Sequence, residues 1–85
     1  MKIQVEIPDY NRDAGLQIPW NDGAGIEVSL DGREVIIAAN GEGLTSLARQ
    51  LLMLAQEEIP NGHHVHLTDV SGLFPGSLDL TMRKE

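Results

Sequence analysis

His64 and His66 stand two apart in the run His63-His64-Val65-His66-Leu67-Thr68-Asp69. In an extended chain both imidazoles fall on one face, opposite Val65 and Leu67. Rings about 6–7 Å apart could share a divalent cation, with Asp69 at the strand end adding an oxygen. The chain has three His and no Cys, so the remaining ligands of a metal site are lacking. The metal reading is therefore the alternative. On an open sheet face the same pair makes a polar, solvated surface or a contact with a protein partner. Such a contact would respond to pH near the ordinary imidazole pKa of about 6.5.

Gly41-Glu42-Gly43-Leu44-Thr45-Ser46 lies where a dinucleotide fingerprint would lie, between a strand and a helix. Ser46 replaces the third glycine, and Glu42 would put a negative charge inside the phosphate cradle. The better account is structural. The glycines let the first helical turn approach a sheet, and Glu42 complements the helix dipole. Ser29, Ser46, Ser71 and Ser77 have no base beside them in sequence, and Glu57-Glu58 reads as a solvated helix end. No catalytic set emerges, and the expectation is a protein that is not an enzyme and carries no cofactor.

Tyr10 and Trp20, the one Tyr and the one Trp, fall in the Gly-, Pro-, Asn- and Asp-rich stretch 8–25. A loop of that length in a small domain is usually functional or mobile. Both ring types are enriched at binding hot spots, so Tyr10 and Trp20 join His64, His66 and Asp69 as candidate partner-binding residues. For Trp20 the competing expectation is that it folds back to cap the core.

The elements that must position these residues follow from periodicity. Lys2–Ile7 alternates, with Ile3, Val5 and Ile7 on one face, and reads as a strand ended by Pro8. Ile26–Leu30 alternates again. Asp31-Gly32 makes a tight turn, and Glu34–Ala39, continuously apolar at 35–38, reads as a central strand. Asn40 is suited to an N-cap. A helix over 41–58, about 27 Å long, places Leu44, Leu47, Ala48, Leu51, Leu52 and Ala55 on its buried face. On the same reading Thr45, Ser46, Arg49, Gln50 and Gln56 face water. His63–Thr68 and Ser77–Met82 complete the chain as strands, with a loop over 69–76. The short link after the helix predicts that the strands at 34–39 and 63–68 run parallel. The expected fold is α+β: a single helix on one face of a mixed four- to five-stranded sheet, in the order β-β-β-α-β-β.

Eighty-five residues make a single domain, 1–85. Thirteen acids against six bases give a net charge of −7. That balance repels phosphate backbones and anionic lipids, so neither nucleic acid nor membrane is expected as a partner. It either attracts a basic protein or serves only to keep the chain in solution. The absence of cysteine fits a reducing compartment. The opening residues show no apolar signal core, and no apolar run reaches the length of a bilayer span. A cytoplasmic protein is expected.

Asn40-Gly41-Glu42-Gly43-Leu44-Thr45-Ser46-Leu47-Ala48, Leu51-Leu52-Met53-Leu54-Ala55-Gln56, Gly62-His63-His64-Val65-His66-Leu67 and Gly76-Ser77-Leu78-Asp79-Leu80 together resemble the immunity protein 32 family of bacterial polymorphic toxin systems. The likeness extends over residues 35–82. Thr68 stands where an acid would be expected after the H-x-H-L run, with Asp69 one place later. The resemblance implies a protein that binds and neutralises a cognate toxin. The charge and the lack of a catalytic set agree with that implication. The other readings are a small metal-binding or metal-sensing domain using His64 and His66, and a homodimer paired through exposed strand edges.

Overall fold

The computed structural model describes residues 1–8 and 20–85. Tyr10 lies outside the described residues. The element order is β1 (Ile26–Asp31), β2 (Glu34–Ala39), α1 (Gly41–Leu54), β3 (His64–Leu67) and β4 (Leu80–Arg83). The class is α+β, as expected, but the order is β-β-α-β-β, and the strands form two separate antiparallel pairs, β1–β2 and β3–β4.

The first correction concerns Lys2–Ile7, which is not a strand. Its alternation survives as half-buried Val5 and Ile7, with Ile7 against the core. Its backbone is met by helix side chains, not by a strand edge. Arg49 Nε donates to the Glu6 carbonyl at 3.2 Å and Gln56 Nε2 to the Pro8 carbonyl at 3.1 Å.

The second correction concerns the single mixed sheet with 34–39 parallel to 63–68. Among the described residues the β2 strand pairs with β1 alone, Ile26 facing Ala39 and Asp31 facing Glu34. It is an outer strand, with Val35 61% and Ile37 43% exposed. The neighbour on the other side of β1 is the segment 74–78. Phe74 N–H donates to the Ile26 carbonyl and Leu78 N–H to the Val28 carbonyl, each at 2.8 Å. Between them the Ser77 hydroxyl, not a backbone carbonyl, accepts the Val28 N–H at 3.2 Å. From Ile26 to Val28 the chain advances two residues, and from Phe74 to Leu78 four. That mismatch breaks the ladder and leaves two hairpins joined by an irregular seam. The last strand accordingly starts at Leu80 and not at Ser77.

The tight turn forms one residue later than expected, since Asp31 stays in β1 without a positive φ and the loop is Gly32-Arg33. The β1–β2 turn has its positive φ at Gly32, +61°, and among the described residues no non-glycine has φ above zero. Gly32 is thus the first central residue of the two-residue loop between Asp31 and Glu34, which suits a type II′ turn.

The helix is shorter than 41–58 and rotated about its axis. It begins as expected: Asn40 Oδ1 accepts the Gly43 N–H at 2.8 Å. It ends at Leu54, where Glu57 and Glu58 would face an unfavourable dipole and the last turn holds no basic residue. Lys84 instead ties down the turn that follows the helix, its Nζ donating to the carbonyls of Gln56 and Ile59 at 2.6 and 2.8 Å. The buried face is Gly43, Ser46, Leu47, Gln50, Met53 and Leu54. Ser46 and Gln50, expected in water, are fully enclosed, while Leu44, Ala48, Leu51, Leu52 and Ala55 are exposed. Gly43 fixes this rotation. A Cβ there would sit 2.5 Å from the Gly25 carbonyl oxygen and 2.9 Å from Ile26 Cγ1, so this is the side on which the backbone can approach β1. Gly41 does not share the role, since a Cβ there meets nothing within 4 Å.

Ile26, Val28, Leu47, Met53, Leu54, Ile59, Val65, Leu67 and Leu73 form the core. Both hairpins contribute to it, so their polar faces both turn away from it.

Candidate functional site

On β3 the pattern is the one the sequence implies: Val65 and Leu67 are each 1% exposed, and His64 and His66 lie on the open face. Antiparallel pairing sets His64 opposite Arg83 and His66 opposite Thr81. Cross-strand partners share a face, so these four side chains make one polar surface. His66 Nε2 lies 3.2 Å from Asp79 Oδ2, with both side chains about half exposed. Arg83 is held by Glu85, Nη2 to Oε1 at 2.7 Å.

Asp69 does not join the histidines through any bond. Its Oδ2 accepts the Gly76 N–H at 3.3 Å and braces the loop before β4. Asp79 is the acid beside His66, and sequence reasoning missed it. The signal was the β3–β4 register, which puts Thr81 across from His66 and Asp79 one step past it. Among the described residues no three His, Cys, Asp or Glu side chains are grouped to hold a metal ion. The His66–Asp79 pair lacks a further ligand, and the metal reading gains no support.

Trp20 is 38% exposed. Its ring lies over Gly72: a Cβ on Gly72 would come 2.5 Å from Trp20 Cζ2 and 3.6 Å from Leu67 Cδ2. Trp20 thus folds back toward the end of the core and keeps one part in solvent. The adjoining loop is tied to the helix through Asn21. Its N–H donates to Ser46 Oγ at 2.8 Å, and its side chain reaches Glu42 and Arg49.

On the β1–β2 hairpin Glu27, Ser29 and Asp31 alternate with the core residues and face Ala38, Ile36 and Glu34 across the pair. This outer face is acidic. Several cations, by contrast, are engaged within the chain: Arg49 with Asn21 and Glu6, Arg83 with Glu85, Lys84 with the turn after the helix. The carboxylates Glu27, Asp31, Glu34 and Asp79 thus lie on the faces turned away from the core, with Arg33 in the β1–β2 turn beside Asp31 and Glu34, and Asp79 beside His66. No helix among the described residues is long and apolar enough to cross a membrane.

The family model described as immunity protein 32 matches residues 34–84, from the start of β2 to the residue after β4. No curated protein and no solved structure matches the chain.

Proposed function

Because the chain belongs to the immunity protein 32 family, we propose that it binds and neutralises a cognate bacterial toxin inside the cell that makes both. Family membership over β2, α1, β3 and β4 is the observation that carries this reading. The protein acts by occupying the toxin, not by catalysis.

The contact surface we propose is the outer face of the two hairpins. Glu27, Asp31, Glu34 and Asp79 supply negative charge there, and His64 and His66 add flat, hydrogen-bonding rings. A basic partner is steered to such a face, with an on-rate that falls as salt rises. Trp20 is proposed as a flanking contact, Tyr10 as a further contact residue, and Asp69 as a residue that shapes the loop before β4.

The test is co-expression of this chain with the toxin-like product of a neighbouring gene, scored by survival and by calorimetry of the purified pair. Protection with tight one-to-one binding is expected. Glu27→Lys combined with Glu34→Lys should weaken binding at least tenfold and flatten its salt dependence. Absence of protection and of binding would overturn the function. Full binding by the double variant and by His64→Ala/His66→Ala would move the contact off the outer face.

A further inference from the structure

The rotation of α1 leaves an apolar seam on its exposed side. Leu44, Ala48, Leu51 and Ala55 recur at steps of four, three and four, the heptad spacing of a coiled-coil d-a-d-a seam. Leu44 and Leu51 are 54% and 52% exposed, and Leu52 beside them is 46% exposed. No charged residue interrupts this face. Arg49, the one charge between Gly43 and Gln56, points to the other side of the helix, where it bonds Asn21 and Glu6.

The seam is complementary to itself. In an antiparallel pair of such helices related by a two-fold axis, a positions face d positions. Leu44 then opposes Ala55 of the second copy, and Ala48 opposes Leu51. Every layer sets one large residue against one small one, the arrangement that fills space without overlap. Alanine at each layer also lets the two backbones come close, near the lower end of the usual 8–10 Å between helix axes. A receiving hollow is present for the outer layer. Beside Ala55 lies a cleft of about 200 Å³ lined by Leu51, Leu54, Ala55, Met82, Arg83 and Lys84. It is placed to take the Leu44 side chain of the second copy.

We propose that two copies of this chain associate through α1, antiparallel and two-fold symmetric, with Leu44 of each seated beside Ala55 of the other. The contact is isologous and closes at two. A seam of two heptads buries less than the roughly 800 Å² per partner of a standard interface, so the dimer dissociates in the micromolar range or above. Each copy carries −7, so added salt strengthens the pair. Of the outer sheet faces proposed for the toxin, this contact touches only Arg83, which lines the cleft, and leaves His64, His66 and the β1–β2 carboxylates uncovered.

Sedimentation equilibrium of the whole chain without toxin tests the proposal. Expected is a monomer–dimer equilibrium that weakens tenfold or more in Ala48→Glu and in Leu51→Glu, with unchanged circular dichroism. Ala48 is exposed, so its variant has little reason to misfold. The chain has no cysteine, so an equal mixture of Ala48→Cys and Leu51→Cys chains should cross-link on oxidation more than either alone. A monomer at millimolar concentration would overturn the proposal, as would a dimer indifferent to both glutamates. Neither result bears on toxin binding.

Discussion

The Ser77 hydroxyl accepts the buried Val28 N–H at 3.2 Å, across a sequence separation of 49 residues. One side chain supplies the acceptor that a regular neighbouring strand would offer from its backbone. Ser77→Ala leaves that N–H enclosed and unpaired, and should cost about 1–3 kcal/mol in urea unfolding. Ser77→Thr keeps the hydroxyl and should recover part of the loss. An alanine variant as stable as the parent would show that water replaces the hydroxyl.

Gly43 and Gly41 sit in the same first turn and should respond oppositely to alanine. At Gly43 the new methyl meets the Gly25 carbonyl oxygen at 2.5 Å. The gain in helix propensity, about 1 kcal/mol, is outweighed, and a net destabilisation of about 1–3 kcal/mol is expected. At Gly41 the methyl meets open space, and stability should rise by up to about 1 kcal/mol. Thermal melts of both variants decide the point.

Gly72 holds φ at +100° directly beneath the Trp20 ring. Gly72→Ala strains the backbone and displaces the indole. Trp20 is the one tryptophan, so its fluorescence reports the event without ambiguity. A red shift and easier quenching by iodide are expected. An unchanged spectrum would mean that the ring does not rest there in solution.

Lys84 braces the turn that follows α1 from just past β4. Lys84→Met keeps the alkyl stem and removes both charge-assisted bonds to Gln56 and Ile59. Stability should fall by about 1.5–3 kcal/mol, with faster amide exchange in the last helical turn than in the first. Uniform exchange along the helix would show that this brace does not support the helix end.

Local rules read well where one short segment settles the outcome. The Gly32 turn, the Asn40 cap and the in–out alternation of His64–Leu67 were all legible. The helix existed where expected, but its orientation did not follow from its apolar residues. Leucine, alanine and Met53 together cover more than half of its circumference, so periodicity alone offers two rotations. Gly43 against β1 and Ser46 under Asn21 select the rotation that buries Ser46 and Gln50. Both are distant contacts that a linear pattern does not contain. The same holds at the site. The shared face of His64 and His66 is a property of one strand, whereas the His66–Asp79 contact depends on how β3 registers with β4. Lys2–Ile7 shows the converse failure: alternation alone does not make a strand when no edge accepts its backbone.

The irregular seam between segment 74–78 and β1 also has a kinetic meaning. Each hairpin and the helix form from contacts close in sequence, and such elements assemble fast. The seam joins residues about fifty apart, as do the contacts of Gln56 with Pro8 and of Trp20 with Gly72, so its closure belongs to the slow, entropically expensive search. Until it closes, the outer edge of β1 presents unpaired N–H and carbonyl groups that any extended chain can take up. Variants that loosen Ser77 should therefore be recovered poorly after refolding at high concentration, as aggregate, even where their equilibrium stability in dilute solution remains adequate.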